Sequence, residues 1–472
     1  MRSNSNKNTM KHTLITLSFF LTFSITNTFG EIVLPSVFAD NMVLQQNSEV
    51  AIWGWSNPGE IVKIVTGWNR NDTVKVKANN YSFWKTTIKT VSAGGPYSIE
   101  LLGSSHVQLN NVMLGEVWIC SGQSNMEWSA NSDITNREEE VSKANYPNIR
   151  IFHVQKRGAD CPQQDCYAEW TVCTPETMTT TSAIGYFFGR ELHKKLNVPV
   201  GLIVSAWGGT PVEVWIEKDR VENNPEFDDA KYAGIYDWWP GTPGAAYNAM
   251  IAPIVPYGIA GAIWYQGESN CKTYQVYSAL KKIMIENWRS DFKKDFPFYF
   301  VQIAPFDYGD DTRSQLLREQ QEIVTRIVPN TGMVVISDLV DDIKDIHPKN
   351  KLDVGKRLGR YALAETYKQN VGAYKSPMYK SMLVEKNKIQ LSFSNIPTGL
   401  NCTEKKSGKF LIAGADQKFV KATAKIKGKI IVVSSKQVKT PVAVRYCFDN
   451  TSMPDIFSTE GLPLAPFRTD GW

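Results

Sequence analysis

Histidine is scarce in this chain, with five in 472 residues, so each one is informative. Clustered Lys and Arg are missing, which removes the electrostatic footprint of a nucleic-acid-binding surface. Long apolar runs are missing too. The best candidate, Leu14-Ile15-Thr16-Leu17-Ser18-Phe19-Phe20-Leu21, is broken by Thr and Ser and is too short for a stable membrane span. No His stands close to the crowded Cys161, Cys166 and Cys173, which argues against a zinc cluster, and no metal site is expected. Internal repeats and low-complexity stretches are likewise absent.

What is present describes a folded protein. Hydrophobic residues at 42% and charged residues at 21% suit a globular chain, and the length suits two or three domains. Fourteen Trp and 19 Tyr are rich usage, a weak pointer to carbohydrate. Lys7 and Lys11 precede the short apolar run, and small residues sit near Thr28 and Gly30. That pattern predicts a signal peptide over residues 1–30 and a secreted or periplasmic protein, without a Cys at the cleavage site for a lipid anchor. Residues 1–30 hold three cations, Arg2, Lys7 and Lys11, and no acid, so the formal +5 falls to about +2 on the remainder. Seven cysteines fit an oxidising compartment; the crowded trio admits one local disulfide, and an odd total leaves a free thiol.

Periodicity divides the rest. Residues 31–110 read as short strands with turns, Asn57-Pro58-Gly59 the clearest, and predict a small β-sandwich or jelly-roll module. Over residues 111–365, short apolar runs such as "VWIC", "VGLIVSAW", "GAIWYQ", "FYFVQIA" and "GMVVISDL" alternate with amphipathic segments. Strands covered on both faces look like this, and the alternation predicts a doubly wound α/β domain. Residues 366–472 return to a β pattern.

In open α/β sheets, functional groups collect at the carboxyl ends of strands. Three strands here end in polar sequences: Ser121-Gly122-Gln123-Ser124-Asn125, Trp207-Gly208-Gly209-Thr210 and Gln266-Gly267-Glu268-Ser269-Asn270. A serine nucleophile at Ser124 needs a neighbouring base. His12 falls in the signal segment, His106 precedes the α/β domain, His193 lies in a helix and His153 reads as a strand interior. Elimination leaves His347, in a loop after a sheet strand. Gly208 and Gly209 would let backbone N–H groups approach a developing oxyanion, and the Gln266 amide offers another donor. Asn125, Trp207, Glu268 and Asn270 flank these ends and are candidate substrate contacts.

The blocks "GEVWICSGQSNMEW", "SAWGGTPVEVWI", "WYQGESN" and "DIHPKNK" resemble those of sialate O-acetylesterases, within the SGNH (GDSL-like) hydrolase superfamily. The likeness extends to "LPSVFADNMVLQQ" and "WGWSNPGE" near the start and to "EGLPLAPFRTDGW" at the end. It implies a three-layer αβα domain with a parallel sheet, flanked by N- and C-terminal β-sandwich or jelly-roll regions. It implies Ser124 as nucleophile and His347 as base. Ser124, a glycine of Gly208-Gly209, and Gln266 would serve the oxyanion. The family's acid stands three residues before its His, where this chain has Lys344. Asp345 is the replacement favoured, with Asp341, Asp342, Glu268 or a Ser-His dyad as alternatives. The implied reaction removes acetyl groups from O-acetylated glycans, sialic acids first and acetylated xylan next, with no cofactor. Rival readings are a glycoside hydrolase built on a carboxylate pair that includes Glu268, and a non-catalytic carbohydrate-binding protein.

Overall fold

The computed structural model describes residues 1, 30–228, 230, 239–309 and 311–472. The predicted signal peptide therefore lies almost wholly outside the described residues, as does part of the segment between 229 and 238.

The N-terminal strands are β1 (Val43–Gln45), β2 (Glu49–Trp55), β3 (Ile61–Thr66), β4 (Asn69–Lys77), β5 (Phe83–Lys89) and β6 (Gly94–Leu102). β2 pairs with β5, while β3 pairs with β4 and β6. Alternate residues of β3 are buried, as a sheet with one covered face requires. The strand expected at "VWIC" proves to be part of β7, which runs unbroken from His106 to Gly122. Its first half pairs antiparallel with β6; its second half enters the central sheet. The chain changes partners at Gly115, since pairing with β6 ends at Leu114 and pairing with β10 begins at Glu116; just before this, Asn111 takes a left-handed φ of 54° that Asn tolerates better than most residues. The expected boundary at 110/111 thus falls inside one strand.

The central sheet adds β8 (Tyr146–His153), β9 (Trp170–Cys173), β10 (Val200–Ala206), β11 (Gly261–Tyr265), β12 (Phe298–Val301) and β13 (Thr331–Val334). The spatial order is β13-β12-β11-β7-β10-β8-β9, parallel throughout except for the β8/β9 pair. Every residue of β10, β11 and β12 is buried, which is why these runs read as continuously apolar. Among the described residues eight α-helices accompany them: α1 (Ser124–Glu127), α2 (Arg137–Ser142), α3 (Pro175–Thr180), α4 (Ala183–Leu196), α5 (Lys218–Glu222), α6 (Tyr277–Asp291), α7 (Ser314–Ile327) and α8 (Lys351–Glu365). α4 packs on α8, and α6 on α7. The architecture is a mixed α/β domain on a mostly parallel sheet, with further β-rich regions at both ends.

After β10 the chain crosses the sheet to lay β11 on the other side of β7. A crevice therefore opens at the carboxyl ends of β7 and β11, the switch point where such sheets carry their sites.

Both flanking regions are tied to this sheet. Gln45 and Gln46 donate to the Glu116 carboxylate of β7 at 2.9 and 2.8 Å, and Tyr367 donates to it at 2.7 Å. The C-terminal β region has its own apolar cluster, including Ile389, Phe410, Ile431 and Tyr446. It meets α7 through a bidentate pair in which Arg468 donates twice to Glu319 at 2.8 Å. All seven cysteines are free, so the local disulfide allowed by the crowded trio does not form. Cys173 instead points inward, its Sγ 3.8 Å from the Ala144 carbonyl oxygen.

Gly122 closes β7 with φ of 136°, and an added Cβ would stand 2.1 Å from the Tyr265 carbonyl oxygen of β11. Backbone cannot yield there cheaply. Gly122→Ala should cost about 3 kcal/mol or more, from strain plus separation of the two strands, measured by denaturant unfolding. An unchanged midpoint would contradict this packing.

Candidate active site

Ser124 opens α1 immediately beyond Gln123, so its hydroxyl sits at the carboxyl edge of the central strand. His347 arrives from the opposite direction, on the loop between β13 and α8. That loop is closed by Asn350, whose side-chain oxygen caps α8 by accepting the Asp353 N–H at 3.1 Å. The two side chains meet: His347 Nε2 lies 2.9 Å from Ser124 Oγ. Trp128 stacks on the imidazole, with centroids 4.0 Å apart and planes 17° from parallel.

Asp345 stands beside His347 but is not bonded to its ring. Its Oδ1 accepts the His347 backbone N–H at 2.9 Å and lies 3.7 Å from Nδ1. That separation is an ion-pair distance, too long for a hydrogen bond. Asp341 and Asp342 have no bond to the ring, although Asp342 shapes the loop by accepting the Lys344 N–H at 2.9 Å.

Under the pair lies a buried network. Asn125 is fully buried; its Nδ2 donates to Glu268 Oε1 at 2.8 Å and to the Ile346 carbonyl at 3.0 Å. Its Oδ1 accepts from Lys351 Nζ at 2.6 Å. Asn125 is thus an internal link, not the substrate contact expected. Burial pushes Glu268 up and Lys351 down, each against the attraction of the other. Glu268 Oε2 has no partner among the described residues, and the residue lines the cleft. His347 is held down to about 4, first by burial and next by the Lys351 cation; Asp345 pulls the other way.

Two further expectations are corrected here. Gln266 is buried, and its Nε2 donates to the Thr210 carbonyl at 3.2 Å and to Asn270 Oδ1 at 2.7 Å, leaving no amide hydrogen for an oxyanion. Asn270 is buried as well: its Nδ2 donates to Glu213 at 2.9 and 3.0 Å and its Oδ1 accepts the Val212 N–H. Gly208 donates its N–H to Glu127 Oε2 at 2.7 Å. Among the described residues, no acceptor takes the backbone N–H of Ser124 or of Gly209. Gly209 needs its glycine, with φ of 77° and the Trp239 ring where a Cβ would go. Gln123 lines the cleft in place of Gln266; its Oε1 accepts the Gly267 N–H at 3.2 Å, and its Nε2 has no acceptor among the described residues.

These groups line a cleft of about 610 Å³ that also holds Trp207, as expected, with Trp239, Glu127 and Lys156. Lys156 pairs with Glu127 at 2.7 Å. Trp128, Glu127 and Lys351 were missed as site residues although the first two lie in the "SNMEW" block and the third ends "HPKNK". Their signal was there, but apolar or charged residues beside a turn do not announce which way they face. Among the described residues, no group of three or more His, Cys, Asp or Glu side chains is placed to hold a metal ion, and no helix is long and apolar enough to cross a membrane.

A general base works in its neutral form. With His347 depressed to about 4, the acid limb of a kcat/KM profile for ester hydrolysis should fall near pH 4, not at the ordinary histidine value of about 6.5. Lys351→Met removes a cation that opposes protonation, so the limb should move to higher pH. A wild-type limb near 6.5, or no shift in the variant, would contradict the electrostatics described.

Comparison with known proteins points the same way. The family described as "Carbohydrate esterase, sialic acid-specific acetylesterase" matches residues 114–367. Human sialate O-acetylesterase is 30% identical, with 76% of each chain covered. The Pongo abelii sialate O-acetylesterase is 28% identical over 92% of this chain and 91% of its own. Among solved structures, a carbohydrate acetylesterase from Xanthomonas citri is 34% identical with a TM-score of 0.86, covering 94% of this chain and 100% of that one. The chain belongs to the sialic acid-specific acetylesterase family of carbohydrate esterases.

Proposed function

We propose that the protein is a serine carbohydrate esterase that removes O-acetyl groups from glycans, with O-acetylated sialic acid its first substrate. The observation that carries the reading is the 2.9 Å approach of Ser124 Oγ to His347 Nε2 inside the family-matched region. The same reading gives the central domain the three-layer SGNH arrangement, and the N-terminal sequence a secreted or periplasmic address. Two strand ends and a loop converge on a hydroxyl and an imidazole, the groups that acyl transfer needs, where glycoside hydrolysis would ask for two facing carboxylates.

The chemistry follows from the geometry. His347 Nε2 takes the Ser124 proton as Oγ attacks the acetyl carbonyl carbon. The new oxyanion is held by the N–H groups of Ser124 and Gly209, with the Gln123 amide as third donor. The intermediate collapses, the bond from acetyl carbon to sugar oxygen breaks, and the sugar hydroxyl leaves with the proton from Nε2. Water, deprotonated by the same nitrogen, then attacks the acetyl-enzyme, releases acetate and returns the proton to Ser124. Asp345 steadies the transient imidazolium by charge, and Glu268 holds Asn125 beneath the pair through Oε1.

Acetate release tests this. Ser124→Ala and His347→Ala should each lower kcat by about 10³-fold or more. Asp345→Asn should cost about ten- to a hundredfold, less than a bonded triad acid, because its charge acts across 3.7 Å. Wild-type rates in the first two variants would end the mechanism. A panel of acetylated sialosides and acetylated xylo-oligosaccharides reads the substrate: faster release from the sialosides is expected, and the reverse order would reassign it to acetylxylan.

A further inference from the structure

A second depression, of about 900 Å³, lies beside the catalytic cleft. Glu127 and Lys156 line both, so their ion pair stands at the boundary between them. The second space is built at the end of β8, where His153 is the last residue and not the strand interior that its sequence suggested. Its other walls come from Thr171 of β9 and from Thr180 at the end of α3. Since β8 follows β10 and β7 in the sheet, the two spaces are neighbours along one carboxyl edge. A ligand seated in the cleft would pass over the Glu127–Lys156 pair to reach the second space, and along that path the two serve as one groove.

The lining indicates what fits. Thr181 is buried, and its Oγ1 has no partner among the described residues, a cost unless something bonds to it. Tyr167 is 63% exposed, and the Arg157 guanidinium stands 5.1 Å from its ring centroid. An exposed aromatic held this way presents a flat apolar face. The Lys156 cation is already paired with Glu127, the Arg157 guanidinium lies against the Tyr167 ring, and Glu169 adds a carboxylate to the lining, so the space is not built for a phosphate or a carboxylate. Hydroxyls and one aromatic face suit a neutral, hydroxyl-rich ligand.

We infer that this groove holds the sugars glycosidically linked to the acetylated residue, so that the enzyme acts on acetyl groups within a glycan chain in preference to free acetylated monosaccharides. The inference rests on the esterase reading above. It does not require a particular acetylated sugar.

The test compares matched pairs: O-acetylated sialyllactose against free O-acetylated sialic acid, and acetylated xylotriose against acetylated methyl xyloside. In the pair that is turned over, kcat/KM should be about tenfold higher for the chain. Tyr167→Ala, which removes the aromatic face, and Thr180→Trp, which fills the groove, should lower that value about five- to tenfold through KM. Both should leave the monosaccharide and p-nitrophenyl acetate rates unchanged. Equal efficiency on chain and monosaccharide, or equal losses on both, would overturn the inference. Calorimetric binding of unacetylated sialyllactose and xylotriose to Ser124→Ala protein separates the two readings. Binding that Thr180→Trp abolishes supports the groove even if acetate release fails and the esterase reading falls; no binding by either glycan, with wild-type turnover intact, overturns the groove alone.

Discussion

One buried amide holds the site together. Asn125 donates to Glu268 after β11 and to the carbonyl of Ile346 before His347, and accepts from Lys351 at the start of α8. The nucleophile's own segment supplies this residue, so a single side chain fixes Ser124 against three pieces of chain more than a hundred residues away. Both amide hydrogens and the oxygen are used, which is what lets a fully buried Asn persist. The arrangement places a carboxyl and an ammonium in the interior, where an unpaired charge would be expensive. The neutral amide between them spares each from facing bare hydrocarbon while keeping them apart. Ser124 and His347 are therefore positioned from below, by polar bonds, and from the side, by the Trp128 ring.

The sheet makes that clasp possible. β7 is the spine: its first half pairs with β6, Glu116 past its middle binds Gln45 and Gln46 of the N-terminal module, and its second half lies buried between β10 and β11 and leads to Ser124. A 17-residue strand shared by two sheets transmits no slack between them. Gly122 then lets β11 come close enough for the Tyr265 carbonyl to accept the Gln123 N–H at 2.9 Å. Without that approach the Ser124 and Glu268 segments would not share a cleft.

Much of this was legible in the sequence, and the failures have one cause. Apolar runs announced the covered strands, and polar residues after them announced the strand ends, so Ser124 and His347 were found. What sequence position does not carry is direction. Gln266 and Asn270 follow β11 as the reading assumed, yet both turn inward to satisfy Thr210, Glu213 and Val212, because a buried turn must pair its own polar groups first. Gly208 is at the predicted place, but its N–H is taken by Glu127, a residue the sequence reading did not single out. Asn125 reads as a neighbour of the nucleophile and is the clasp beneath it. The length of β7 was hidden by the polar stretch around Asn110-Asn111, through which the strand continues unbroken. The disulfide failed for a related reason: spacing brings cysteines near in sequence, whereas β9 turns Cys173 into the core.

In the proposed mechanism the depressed imidazole sets the energetic terms of the reaction. A base that protonates near pH 4 is always ready at neutral pH, but it is also reluctant to take the Ser124 proton. Two neighbours keep that reluctance from being greater. Asp345, 3.7 Å from Nδ1, attracts the imidazolium more strongly than the imidazole, a pull already contained in the value of about 4, without which the ring would protonate at still lower pH. The Trp128 face, stacked at 4.0 Å, gains a cation–π attraction when the ring becomes charged, worth about 0.5–2 kcal/mol. Neither contribution exists in the resting state, so both lower the barrier without tightening ground-state binding. Lys351 works against them, yet Lys351 is what anchors Asn125. The cation that positions the pair also weakens its base, and the carboxylate and indole beside the imidazole offset that loss where the charge develops.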